Sequence, residues 1–173
     1  MKLELARQIA EAVKAALEPA CERIEIAGSI RREKPEVGDA EILCIPRYDG
    51  GIVDLLDNQI QELVAQHILD YRRNKLGSKT YGAKIKLMTH IATGFGIDIF
   101  STTPECWAVS FVVRTGGSKT NVEIATAALR KGLHFNSYGR GFTAENGTEV
   151  VCHTEREVFE TVGLKYLPPT ERK

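Results

Sequence analysis

The chain has 173 residues, 43% hydrophobic and 27% charged, enough to bury one core or two small subdomains without disulfide or metal staples. Its 23 basic and 23 acidic residues cancel, which argues at first against a partner held by bulk charge such as a polyanion. The apolar stretches are too short for a membrane span, and that excludes transmembrane placement as an expectation.

The leading residues, 2 to 18, carry Leu3, Leu5, Ile9, Val13, Ala16 and Leu17 at helical spacing and predict an amphipathic helix that ends at Pro19. Arg23 to Gly28 and Ala40 to Ile45 are short apolar runs bounded by turn residues and predict buried strands. Residues 52 to 68 return to helical periodicity, and 82 to 89 and 95 to 100 predict two more strands. This mixture suits an α/β (α+β) domain with a mixed sheet. At Pro104 the texture changes. Trp107 to Val113 and Val122 to Leu129 read as helices on either side of Thr115-Gly116-Gly117, and Leu133 to Tyr138 and Glu149 to Cys152 are expected to pair as a small ribbon. Glu155 to Val162 predicts a last helix, and Leu167 to Lys173, with Pro168-Pro169, an irregular tail. The expected division is therefore residues 1–103 as one subdomain and 104–173 as a smaller C-terminal α+β subdomain.

Charge is unevenly distributed. Residues 1 to 70 hold 8 Lys+Arg against 14 Asp+Glu, and residues 71 to 173 hold 15 against 9. Arg72, Arg73, Lys75, Lys79, Lys84 and Lys86 follow one another without an acidic residue, so this segment is either a track for a phosphate backbone or a solvated strand and loop. Four scattered cysteines, Cys21, Cys44, Cys106 and Cys152, form no Cys-x-x-Cys pair and follow no secretory leader; reduced core thiols in a cytoplasmic protein are expected.

Asp39 and Glu41 stand one residue apart on a predicted strand and so point to the same side of the sheet. Two carboxylates this close raise each other's pKa unless a cation lies between them. Asp98, between Ile97 and Ile99 in an alternating strand, is a possible third ligand turned away from the core. On these residues alone, a metal site and a solvated strand face are both open. Upstream, Gly28-Ser29 ends a strand and Ile30-Arg31-Arg32 follows. A glycine permits close backbone approach, a serine hydroxyl donates, and an arginine neutralises phosphate, although an ordinary turn with surface arginines fits too.

Gly28-Ser29, nine residues and then Asp39-Ala40-Glu41-Ile42 resemble the signature of the nucleotidyltransferase superfamily. Within it, GSIRREKPEVGDAEIL is similar to family X DNA polymerases, the DNA polymerase beta relatives, and GIDIF at 96–100 resembles their third-carboxylate strand. RTGGSKTNVEIATAALRKGLHFNSYG from Arg114 and TEREVFETVGLKYLPPTERK at the end resemble the family's later segments. The family's amino-terminal lyase and helix-hairpin-helix region is not matched, which suggests a minimal form similar to small viral or phage members, in host cytoplasm if viral.

The resemblance implies a nucleotidyltransferase palm, with Asp39, Glu41 and Asp98 as catalytic and metal-binding residues for two Mg2+ ions, Mn2+ being the alternative. It implies Gly28, Ser29 and Arg32 at the triphosphate, Thr115 and Gly116 at the sugar, and Asn121 at the incoming base. The expected partners are a nucleoside triphosphate and primer or gapped DNA, the expected state a monomer with no membrane. The sequence departs from the better-known members at four places: Glu41 replaces Asp, Arg114 an aromatic residue, Ala125 a template-contacting arginine, and Gly96 a basic residue two positions before the third carboxylate. Gly116-Gly117-Ser118-Lys119-Thr120 lacks P-loop spacing, and His67, His90, His134 and His153 show no zinc-ligand spacing.

Overall fold

Apolar residues at helical spacing form the first helix, α1 (Leu3–Leu17), which buries Ala6, Ile9, Ala10, Val13 and Leu17 on one side. Pro19 stands early in the short 3₁₀ turn, Glu18–Ala20, that follows it. The computed structural model describes residues 1–73 and 76–173 of the chain, which divide into two compact units, Met1–Ser101 and Thr102–Lys173.

The first unit continues with β1 (Cys21–Ile26), a single short turn α2 (Gly28–Arg31) and β2 (Asp39–Pro46). A two-residue hairpin, β3 (Tyr48–Asp49) with β4 (Val53–Asp54), leads into α3 (Leu55–Ala65). The Asp54 carboxylate accepts from the Asp57 backbone N–H at 3.1 Å and so starts α3 three residues later than the apolar periodicity alone suggests. Then come β5 (Leu69–Tyr71), β6 (Ile85–His90) and β7 (Phe95–Ser101). The strands form a five-stranded sheet in the order β1-β2-β7-β6-β5. Only β2 and β7 are parallel; the other pairs are antiparallel, so the sheet is mixed as expected. Ala40, Ile42, Cys44, Met88, Ile97 and Ile99, all fully buried, form one face of this sheet and share a core with α1 and with Leu56, Ile60 and Leu63 of α3.

The second unit starts with α4 (Trp107–Thr115) and α5 (Ser118–Arg130), followed by β8 (Leu133–Phe135), β9 (Gly141–Ala144), β10 (Glu149–Val151) and α6 (Glu155–Thr161). The expected two-stranded ribbon is corrected here. The segments from Leu133 and Glu149 do not pair with each other; both pair antiparallel with β9, which lies between them. Phe142 of β9, 1% exposed, and Phe135 stack with ring centroids 5.1 Å apart. Thr154 caps α6 by accepting from the Glu157 N–H, while the Glu157 carboxylate accepts from the His153 N–H at 2.7 Å, a reciprocal cap built from Thr-x-x-Glu.

The tail is more ordered than its prolines suggest. Pro169–Glu171 form a 3₁₀ turn, and Arg172 is fully buried. Its guanidinium pairs with Glu155 at 2.9 Å, donates to the Leu167 carbonyl at 2.8 Å, and lies 5.1 and 5.5 Å from the Phe159 and Tyr166 ring centroids. A charge can be buried there because carboxylate, carbonyl and ring faces surround it.

Candidate active site

The register of β2 and β7 positions the acidic residues. Glu41 is paired with Asp98, and Asp39 with Gly96. Registered neighbours point to the same side of a sheet, about 4.8 Å apart between strands, and residues two apart along a strand share that side as well. Asp39, Glu41 and Asp98 therefore occupy one face, opposite the buried side formed by Ala40, Ile42, Ile97 and Ile99. All three are partly exposed. Further along the same face Leu43 and Phe100 are buried, so the acidic patch is confined to the beginning of β2 and the middle of β7.

The Gly28 turn abuts this face. The Ala27 N–H donates to the Glu41 carbonyl at 2.8 Å, which ties the end of β1 to β2. Gly28 has φ +62, a left-handed conformation that glycine adopts without strain, and a Cβ there would stand 2.7 Å from Glu41 Oε1. Beyond it, Arg31 and Arg32 N–H groups donate back to Ala27 and Gly28 at 3.3 and 3.1 Å and close α2, while Ile30, 3% exposed, anchors the turn in the core. Ser29 and Arg32, the expected triphosphate ligands, thus stand on a turn packed against the strand that carries Asp39 and Glu41.

The side chains of the acidic face are not drawn together around one point. Among the described residues, no three His, Cys, Asp or Glu side chains group so as to hold a metal ion. Asp98 Oδ1 is instead 2.6 Å from Arg72 Nη2, and Arg72 Nη1 lies 2.6 Å from where a Cβ on Gly96 would be. The backbone arrangement still fits hard, oxygen-seeking divalent cations, because three carboxylates share one face within reach of rotamer changes.

Arg72 is the residue the sequence reading missed. In the sequence it is only one cation of the basic run, and that run divides in the structure. Lys86 is 1% exposed, its ammonium donating to the Gly82 carbonyl at 3.2 Å with Asp54 at 3.8 Å, so it is no part of an accessible basic track. Arg73 donates to the Gly77 carbonyl, and Lys79 lies 3.8 Å over the Tyr71 ring. Lys84 is exposed, and Lys75 lies outside the described residues. Tyr81, which donates to Asp57 at 2.7 Å beside these lysines, has its phenol pushed well above the usual range, mainly by burial.

The expected nucleotide-binding residues of the second unit cluster at the α4–α5 junction. Thr115 is fully buried, Gly116 has φ +68 and caps α4 by donating to Val112 at 2.9 Å, and the Asn121 N–H donates to Gly117 at 3.0 Å. The Asn121 side-chain amide donates to the Val113 carbonyl at 2.9 Å, so it already braces the turn, while its Oδ1 is buried without a hydrogen bond. Elsewhere in this unit Thr103, Glu105, Asn136, Arg140, Phe142 and Glu149 border a cavity of about 580 Å³ that includes none of the predicted site residues.

Among the described residues, no helix is long and apolar enough to cross a membrane. No curated protein matches the chain in a sequence comparison. The sequence model of one family, DNA polymerase beta thumb, matches residues 111–173. The match begins inside α4 and runs through the three-stranded sheet, α6 and the buried Arg172, so this part of the chain is similar to the DNA polymerase beta thumb.

Proposed function

We propose that the chain is a metal-dependent nucleotidyltransferase of the family X DNA polymerase type, which adds a nucleotide from a deoxynucleoside triphosphate to a DNA 3′-hydroxyl and releases pyrophosphate. The observation that carries this reading is the β2–β7 register, which sets Glu41 beside Asp98 and Asp39 two residues away, against the Gly28-Ser29 turn. The thumb match supports the DNA part of the reading. Mg2+ ions held by Asp39, Glu41 and Asp98, with Mn2+ as a substitute, would supply the positive charge that acidifies a 3′-hydroxyl and neutralises a departing pyrophosphate.

The chain's own groups do the rest. Asp98, at the middle of β7, accepts the hydroxyl proton as its carboxylate. Ser29 donates its hydroxyl to a phosphate oxygen, and Arg32 pairs with the triphosphate charge. Thr115 and Gly116 offer backbone to the sugar without a side chain in the way, and Asn121 exchanges its bond to Val113 for the incoming base. Glu41, one methylene longer than aspartate, widens the spacing of the metal ligands and favours the larger Mn2+. We assign the protein to short-gap filling as a monomer in the cytoplasm, or the host cytoplasm for a viral form. Extension of gapped DNA, single strands and small acceptors with deoxy and ribo substrates in Mg2+ and Mn2+ tests the assignment: product on gapped DNA supports it, and product on a small acceptor alone overturns it.

A further inference from the structure

Arg72 occupies the acidic face in a particular way. Its backbone N–H donates to Leu87 at 3.0 Å, which fixes its start at the edge of β6, and its guanidinium reaches Gly96 on β7. One terminal nitrogen meets Asp98 Oδ1 at 2.6 Å, and the other sits 2.6 Å from the point a Cβ on residue 96 would take, with Asp39 Cβ 3.2 Å from the same point. Any side chain at position 96 would displace the guanidinium. Glycine there is what admits it.

A face with three carboxylates and no cation is repulsive, and one guanidinium relieves part of that repulsion. A guanidinium and a divalent ion cannot both take the same Asp98 oxygen at contact distance. From this geometry, and resting on the metal-site reading above, we propose that Arg72 is a displaceable counter-cation. It holds Asp98 in place while the site lacks metal, and it competes with a divalent ion for Asp98 Oδ1. The Asp98 side chain is 13% exposed and that of Arg72 32%, so the pair is shielded enough to hold yet open enough to exchange. Once displaced, the planar guanidinium is free for an anionic group next to the metal, the phosphate of a bound strand being the one the proposed reaction provides.

The test uses Mn2+ alone as probe, with the full chain and neither nucleotide nor DNA. Free Mn2+ is followed by electron paramagnetic resonance for the parent, Arg72→Gln, Arg72→Lys and Gly96→Ala, with folding checked by circular dichroism. Removing the competing cation tightens Mn2+ binding in Arg72→Gln by about fivefold, the size of one partly exposed ion pair. Gly96→Ala tightens it in the same direction, Arg72→Lys stays near the parent, and combining Gly96→Ala with Arg72→Gln adds nothing further. The metal-free thermal midpoint falls in Arg72→Gln and is regained on adding Mn2+, which a purely structural arginine would not produce. A parent that binds Mn2+ and extends DNA, with Arg72→Gln binding no more tightly, overturns the counter-cation and leaves the active-site reading intact. A parent that neither binds Mn2+ nor extends DNA overturns both.

Discussion

Gly28→Ala tests the close fit between the turn and the acidic strand. Two effects add at this position. The left-handed backbone, φ +62, costs a residue with a Cβ about 1–2 kcal/mol. The new methyl also stands 2.7, 2.9 and 3.0 Å from Oε1, Cδ and Cγ of Glu41, so the whole side chain has to rotate away, at an overpacking cost of about 1 kcal/mol. Glu41 cannot shift as a unit, because β2 is paired on both sides, with β1 and with β7. The expected loss is therefore about 2–3 kcal/mol of stability, together with weaker Mn2+ binding as the carboxylate leaves its place. Gly38→Ala is the control: no atom lies within 4 Å of its Cβ position, and its change should stay within about 0.5 kcal/mol. Urea unfolding followed by far-UV circular dichroism, beside a Mn2+ titration, measures both effects. A Gly28→Ala protein as stable as Gly38→Ala, with unchanged Mn2+ affinity, would refute the reasoning.

Other outcomes follow from the second unit. Arg172→Ala leaves Glu155 without its buried partner and should destabilise this unit by about 3–5 kcal/mol; fluorescence of Trp107, the one tryptophan and 6% exposed, reports it, and a loss below about 1 kcal/mol would contradict the lock. Glu157 has its carboxyl held below the usual value of 4.5, first by the His153 backbone N–H it accepts. A depressed carboxylate contributes stability that is present above the unfolded value and lost as pH falls through the folded one. The stability gap between the parent and Glu157→Gln should accordingly be open at neutral pH and close under acid; a gap independent of pH in denaturation curves would argue against the cap.

Much of the first unit is legible in the sequence because its signals are local. Alternation around Ile97 and Ile99 puts Asp98 on the outward face, and the same period puts Asp39 and Glu41 together. What the sequence leaves out is pairing across distance. β5 has only three residues, and its partner β6 begins fourteen residues after it ends, so no local period marks it as a strand. The short β3–β4 hairpin is hidden in Asp49-Gly50-Gly51, which reads as turn alone. β9 begins with a glycine and lies between two more obvious strands, so the sequence suggests a pairing of those two where the structure inserts β9.

The site was legible as residues and illegible as contacts. Arg72 looks like one cation among several, and only the fold brings it over Gly96 to Asp98. Lys86 looks like its equal in the sequence and is buried, because its β6 position is paired with Ile99 on the core side. Arg172 follows two prolines and reads as tail, yet its carboxylate partner lies at the first turn of α6. Such long-range ion pairs leave no periodic trace.

The most direct test of the acidic face is extension of a gapped DNA by the parent and by Asp98→Asn in Mg2+ and in Mn2+. Asparagine keeps the shape of the side chain and removes its charge and its capacity to accept the hydroxyl proton, so extension should drop at least about 100-fold with folding unchanged. Extension by Asp98→Asn at the parent's rate would contradict the account.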